Sequence, residues 1–162
     1  MLKNGLVAQC VALGFAALAG AAVLPAASAA DSAFGGLAGS WGGSGTIKYT
    51  DGSTERMRCS ARYNGGASDV ALSINCASSA HNIDLSGRLH ANGSHVSGNW
   101  SESNFGLSGS ANGRSSPGRV SLGLGGGVSG SMSVSYSAAH QDVAISVGGT
   151  ALESVTISLA KR

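Results

Sequence analysis

The chain predicts an all-β domain: an antiparallel up-and-down meander of roughly eight to ten short strands, closed into a barrel. Three observations carry that expectation. Branched apolar residues alternate with serines through most of the sequence, the period of a strand with one face buried. A phrase of branched residue, serine and glycine recurs as Leu85-Ser86-Gly87, Val96-Ser97-Gly98, Leu107-Ser108-Gly109 and Val128-Ser129-Gly130, at steps of 11, 11 and 21 residues. Glycine-rich turn signals separate the alternating segments at short intervals.

Residues 1–30 stand apart from that domain. Lys3 gives a short basic start, Val7 to Leu24 an uncharged apolar run, Pro25 a break, and "AASAA" the small residues a signal peptidase accepts. The segment reads as a cleaved signal peptide rather than an anchor, and Cys10 leaves with it. Residues 31–162 then form one domain, long enough for a single core. The expected location is periplasmic or secreted. Without Lys3 the net charge is +1, so no electrostatic pull toward nucleic acid or an anionic membrane surface exists, and no membrane span remains after cleavage.

In chain order, the first strand runs from Trp41 to Tyr49 and ends at the turn signal "DGST". Met57, Cys59, Ala61 and Tyr63 then share one parity, with Arg56, Arg58, Ser60 and Arg62 on the other. After "NGGA" come Val70, Leu72, Ile74 and Cys76. A hairpin closed near Ala67 sets Cys59 opposite Cys76 on the apolar face, and in an exported chain this isolated pair is expected to form a disulfide. Asn92-Gly93 signals the next hairpin, as the two central residues of a type I′ turn. That turn sets Leu89 opposite Val96, Gly87 opposite Gly98 and Leu85 opposite Trp100, with every apolar residue on one face.

Further strands are expected over Leu107–Ala111, Val120–Leu124, Val128–Tyr136, Val143–Val147 and Val155–Leu159, joined by "NFG", "NGRSSPG", "GGG", "AAHQD" and "VGGTALES". In the repeated phrase the branched residue packs inward, the serine faces water, and the glycine relieves crowding where a strongly coiled strand bends. Closure of the sheet removes edges that would otherwise pair with other chains. A β-solenoid would need a steadier repeat. An outer-membrane barrel would need aromatic girdles, and only seven aromatic residues follow residue 30.

"LAGSW" at Leu37 to Trp41 resembles the Gly-x-Trp opening of the calycin superfamily of lipocalins, fatty-acid-binding proteins and avidins. That resemblance implies a tryptophan closing one barrel end, with a basic residue of the last strand, Lys161 or Arg162, over it. With its "GSW" start, "ERMRC", "SGNWSE" and "VTISLAKR", the chain also resembles small exported proteobacterial proteins of unassigned function. Neither resemblance implies a particular ligand.

Few residues suggest chemistry. His90 and His95 are expected to flank the Asn92-Gly93 turn as cross-strand neighbours, a weak metal pair at best, since stable zinc sites want three or four protein ligands. Only Asp84 and His81, both distant in sequence, are available to extend it, so no metal is assigned. Arg56, Arg58 and Arg62 read as an outward, solvated stripe, and "GGG" at 125–127 lacks the Lys and helix of a phosphate loop. Serines near His140 or Asp142, and Glu102 beside Trp100, match no catalytic spacing, so the protein is expected not to be an enzyme and to need no cofactor.

The expected function is binding of a small apolar or amphipathic ligand inside the barrel. Trp41, Tyr49, Met57, Tyr63, Leu72, Leu85, Trp100 and Met132 are the expected lining. The alternative is an interaction or inhibitor module, with a packed interior and an envelope protein as partner.

Overall fold

The structure is a computed structural model that describes residues 32–162. The expected signal peptide, with Cys10, lies outside the described residues. Ten strands follow one another: β1 (Gly39–Tyr49), β2 (Thr54–Gly65), β3 (Asp69–Ala77), β4 (Asn82–Asn92), β5 (His95–Glu102), β6 (Leu107–Ser116), β7 (Arg119–Gly126), β8 (Ser129–Tyr136), β9 (His140–Gly148) and β10 (Leu152–Lys161). Each pairs antiparallel with its neighbours in sequence, and β1 pairs with β10 to close an up-and-down barrel.

Alternation decides the two faces. In β2, Met57, Cys59, Ala61 and Tyr63 are buried while Arg56, Arg58 and Arg62 are exposed outside. Cys59 pairs with Cys76 across β2 and β3, and the two are joined in a disulfide. Gly65 and Val70 are the last partners before the turn, the expected register.

The β4–β5 hairpin differs from expectation by two residues. Asn92 pairs with His95, so the turn is Gly93-Ser94, and Gly87 rather than Leu85 faces Trp100. Gly93 has φ +58° and among the described residues no non-glycine residue has positive φ, which fits a type II′ turn with glycine first, not the type I′ expected of Asn92-Gly93. A slip of two preserves inside and outside, so the apolar face survives the change. The histidine pair does not survive it: His90 now faces Ser97, and His95 faces Asn92.

Strand ends also run further than composition suggests. β6 continues through "NGRSS", because Gly113 and Ser115 pair with Leu122 and Val120 on a face that already points inward. Pairing in the closed sheet outweighs the weak strand preference of Asn and Gly.

The repeated phrase behaves as its pattern implies. Leu85 is buried, and Ser86 lies outside, hydrogen-bonded to Ser101. A side chain at Gly98 would run into the carbonyl oxygen of Arg88, and one at Gly109 into that of Gly125. These glycines let adjacent strands approach closely at those positions.

One barrel end is plugged. The segment before β1 turns across it, with Leu37 N–H donating to the Phe34 carbonyl, and both side chains are fully buried. Trp41 donates its indole N–H to the Leu37 carbonyl at 2.8 Å, and the Tyr136 hydroxyl donates to the Ala33 carbonyl at 3.0 Å. Lys161, the register partner of Trp41, sets its Nζ 5.2 Å from the centre of the indole. Lys161 thus fills the place expected of Lys161 or Arg162.

Candidate functional site

Inward-facing side chains fill the barrel from the plug to its middle and then stop. At the other end lies a cavity of about 400 Å³, bounded by the β1–β2, β3–β4, β5–β6, β7–β8 and β9–β10 turns. Its wall is apolar: Ile47, Ile74, Ile83, Leu85, Trp100, Leu107, Leu124, Val128, Ile145, Val147, Leu152, Val155 and Ile157 line it. Phe105, the one exposed large hydrophobic among the described residues, stands at its rim. Ordinary residues at strand ends produce this space. Near the mouth the inward positions carry aliphatic chains with no second layer opposite them, whereas at the far end Phe34, Leu37 and Trp41 fill the lumen.

Of the eight residues expected to line the interior, Tyr49, Leu85 and Trp100 do line the cavity. Trp41, Met57, Tyr63, Leu72 and Met132 are buried but pack in the filled part instead. Parity along a strand says which side chains point inward. It does not say at what height along the barrel axis they sit, which the stagger between strands sets.

Polar groups gather at the mouth. Glu102 is buried at the end of β5, and its Oε1 accepts the Asp84 backbone N–H at 2.7 Å and the Asn104 amide at 3.3 Å. Its Oε2 accepts the Phe105 N–H at 2.7 Å, so the carboxylate holds the β5–β6 turn together. Across the opening, the Tyr49 hydroxyl donates to Glu55 Oε2 at 2.9 Å, and His81 Nδ1 lies 2.9 Å from the same oxygen. Hydrogen bonds from Ser78 first, then His81 and Tyr49, hold the Glu55 carboxyl down to about 2. Tyr49 is pushed up, by burial and then by the Glu55 hydrogen bond. A carboxylate needs donors, so Nδ1 of His81 carries a proton toward Glu55, and Nε2 has no partner among the described residues.

His81 and Glu55 belong to the mouth, although the sequence pattern placed neither there. The β3–β4 turn delivers His81, with Ser78 accepting the His81 N–H at 2.8 Å. Its only signal in sequence is a histidine inside an otherwise uncharged turn.

The other candidates fall elsewhere. His90 Nδ1 pairs with Asp69 at 2.8 Å on the outer wall, no longer directly opposite His95, and among the described residues no cluster of three or more His, Cys, Asp or Glu is arranged to hold a metal. Asp142 accepts the Ser158 hydroxyl at 2.6 Å on the outer wall, while His140 lies in the β8–β9 turn region with its backbone N–H on Ser137. Nothing in the sequence pattern marks Gln141. It is buried in the filled half, its amide nitrogen donates to the Tyr63 hydroxyl, and its Oε1 has no partner among the described residues. Burial pushes the Tyr63 phenol up to about 12.

No family model matches the chain. No curated protein matches it either. Among solved structures it is similar to the crystal structure of Rv2717c from M. tuberculosis, at TM-score 0.66 and 15% identity, over 83% of this chain and 98% of that one. At that identity the likeness concerns the fold alone.

Proposed function

We propose that the protein is a non-catalytic carrier or sensor that takes a small apolar or amphipathic ligand into the open half of its barrel. The observation that carries this reading is the 400 Å³ cavity, walled by aliphatic side chains and Trp100 and open at one end. Its volume lies in the range of small-molecule sites, and a preformed apolar pocket with few polar groups is what such ligands require. An interaction module with a packed interior would have no use for that space. The non-catalytic part is supported by Glu102, whose two oxygens are occupied by backbone and amide N–H groups. Export to the periplasm or beyond is supported by the Cys59–Cys76 disulfide, a bond at home in oxidising compartments. Kinship with calycins is supported by Lys161 over Trp41.

The two tryptophans make the test. Trp100 lines the cavity and Trp41 lies in the plugged end, so the Trp41→Phe variant reports on the cavity alone. Its emission is expected to change on titration with members of a panel of isoprenoids, fatty acids and haem. A flat response across the whole panel refutes ligand binding.

A further inference from the structure

The mouth of the cavity carries hydrogen-bond acceptors and negative charge, and its lining among the described residues holds no ammonium or guanidinium to receive an acid. Glu102 lines the cavity and Glu55 holds Tyr49 and His81 at its mouth, with Asp51 in the β1–β2 turn and Glu153 at the start of β10 on the same end. Among the described residues, no Lys or Arg lines the cavity. Lys48, the nearest lysine along β1, faces outward and is tied to Glu153 at 2.8 Å. A fatty-acid headgroup entering here would meet two carboxylates without a partner, and transfer of an unpaired carboxylate toward an apolar wall is costly.

His81 gives the preference its positive half. Its side chain lines the cavity and is 44% exposed, and with Nδ1–H directed at Glu55 the uncharged form of the ring has Nε2 as its acceptor. The Tyr49 hydroxyl is committed as a donor to Glu55 and has lone pairs left to accept. Glu102 and Glu55 already receive their donors from the protein, so His81 Nε2 and the Tyr49 oxygen are the acceptors left for a ligand.

Building on the ligand-binding reading, we infer that the barrel selects ligands without an acidic headgroup, an apolar body ending in a hydroxyl or amine that donates to His81 Nε2. The wall sets the body and the rim sets the head. Glu55 is a positioning residue, since it acts by holding the tautomer of His81.

Four probes sharing one tail separate the parts: decanol, decylamine, methyl decanoate and decanoate, titrated calorimetrically at neutral pH into the disulfide-bonded protein and its His81→Phe variant. Decanol and decylamine are expected to bind at least roughly tenfold more tightly than decanoate. The variant is expected to weaken decanol several-fold and leave methyl decanoate, which has no proton to donate, unchanged. Decanoate binding as tightly as decanol overturns the inference while leaving a ligand-binding barrel intact. So does an equal loss for alcohol and ester in the variant. Failure of all four probes to bind overturns the ligand-binding reading together with the inference.

Discussion

Lys161 and Trp41 face each other across the seam where the last strand meets the first, with the ammonium 5.2 Å from the indole centre. The contact joins the two ends of the meander and covers the plugged end of the barrel. Lys161→Met keeps much of the aliphatic stem and removes the charge, so urea denaturation should show a loss of about 0.5–1 kcal/mol. Trp41→Ala empties the plugged end and should cost about 3–5 kcal/mol. Equal losses for the two variants would mean that the charge, not the packing, closes the seam.

The disulfide contributes chiefly by restricting the unfolded chain. Cys59 and Cys76 are 17 residues apart, and replacing both by serine should lower stability by about 3 kcal/mol in the chain-entropy model. Neither cysteine lines the cavity, so ligand affinity at temperatures where the variant remains folded should be unchanged.

Filling the cavity should separate binding from stability. Ile145 lines the wall and is half-buried, and Ile145→Trp places a large ring in space that is otherwise open. Any ligand found for the native protein should bind at least roughly tenfold more weakly, with a melting temperature close to that of the parent. Unchanged affinity would place the ligand elsewhere on the molecule.

Acid should loosen the mouth through Glu55. Its folded value of about 2 lies below the ordinary 4.5, so its contribution is complete above 4.5 and disappears as pH falls toward 2. Glu55→Gln should therefore flatten the fall in melting temperature across that window. Some slope should remain, because hydrogen bonds from His90 and then Ser68 also lower Asp69.

Glycines of the repeated phrase should resist replacement. Gly98→Ala brings a methyl against the carbonyl of Arg88, and the strands must separate to admit it, at about 1–3 kcal/mol by chemical denaturation. Ser97→Ala beside it, on the outer face, should be close to neutral.

The amino-acid order specifies on its own the class, the closed meander, the inward and outward faces, and the β2–β3 register. The alternation of Met57, Cys59, Ala61 and Tyr63 with arginines permits one orientation of β2, and the cysteine pair permits one alignment with β3. What it left open was everything measured along the barrel axis. The two-residue slip at Gly93-Ser94 preserves both faces, so no pattern of apolar residues opposes it, and it separates His90 from His95. Trp41 plugs the end that the Gly-x-Trp resemblance implies, whereas the place of Trp100 beside the open half and the meeting of His81 with Tyr49 and Glu55 at the mouth come from the packed barrel. The physical reason is that a strand's period of two encodes side but not height, and height follows from the stagger of ten strands closing on one another.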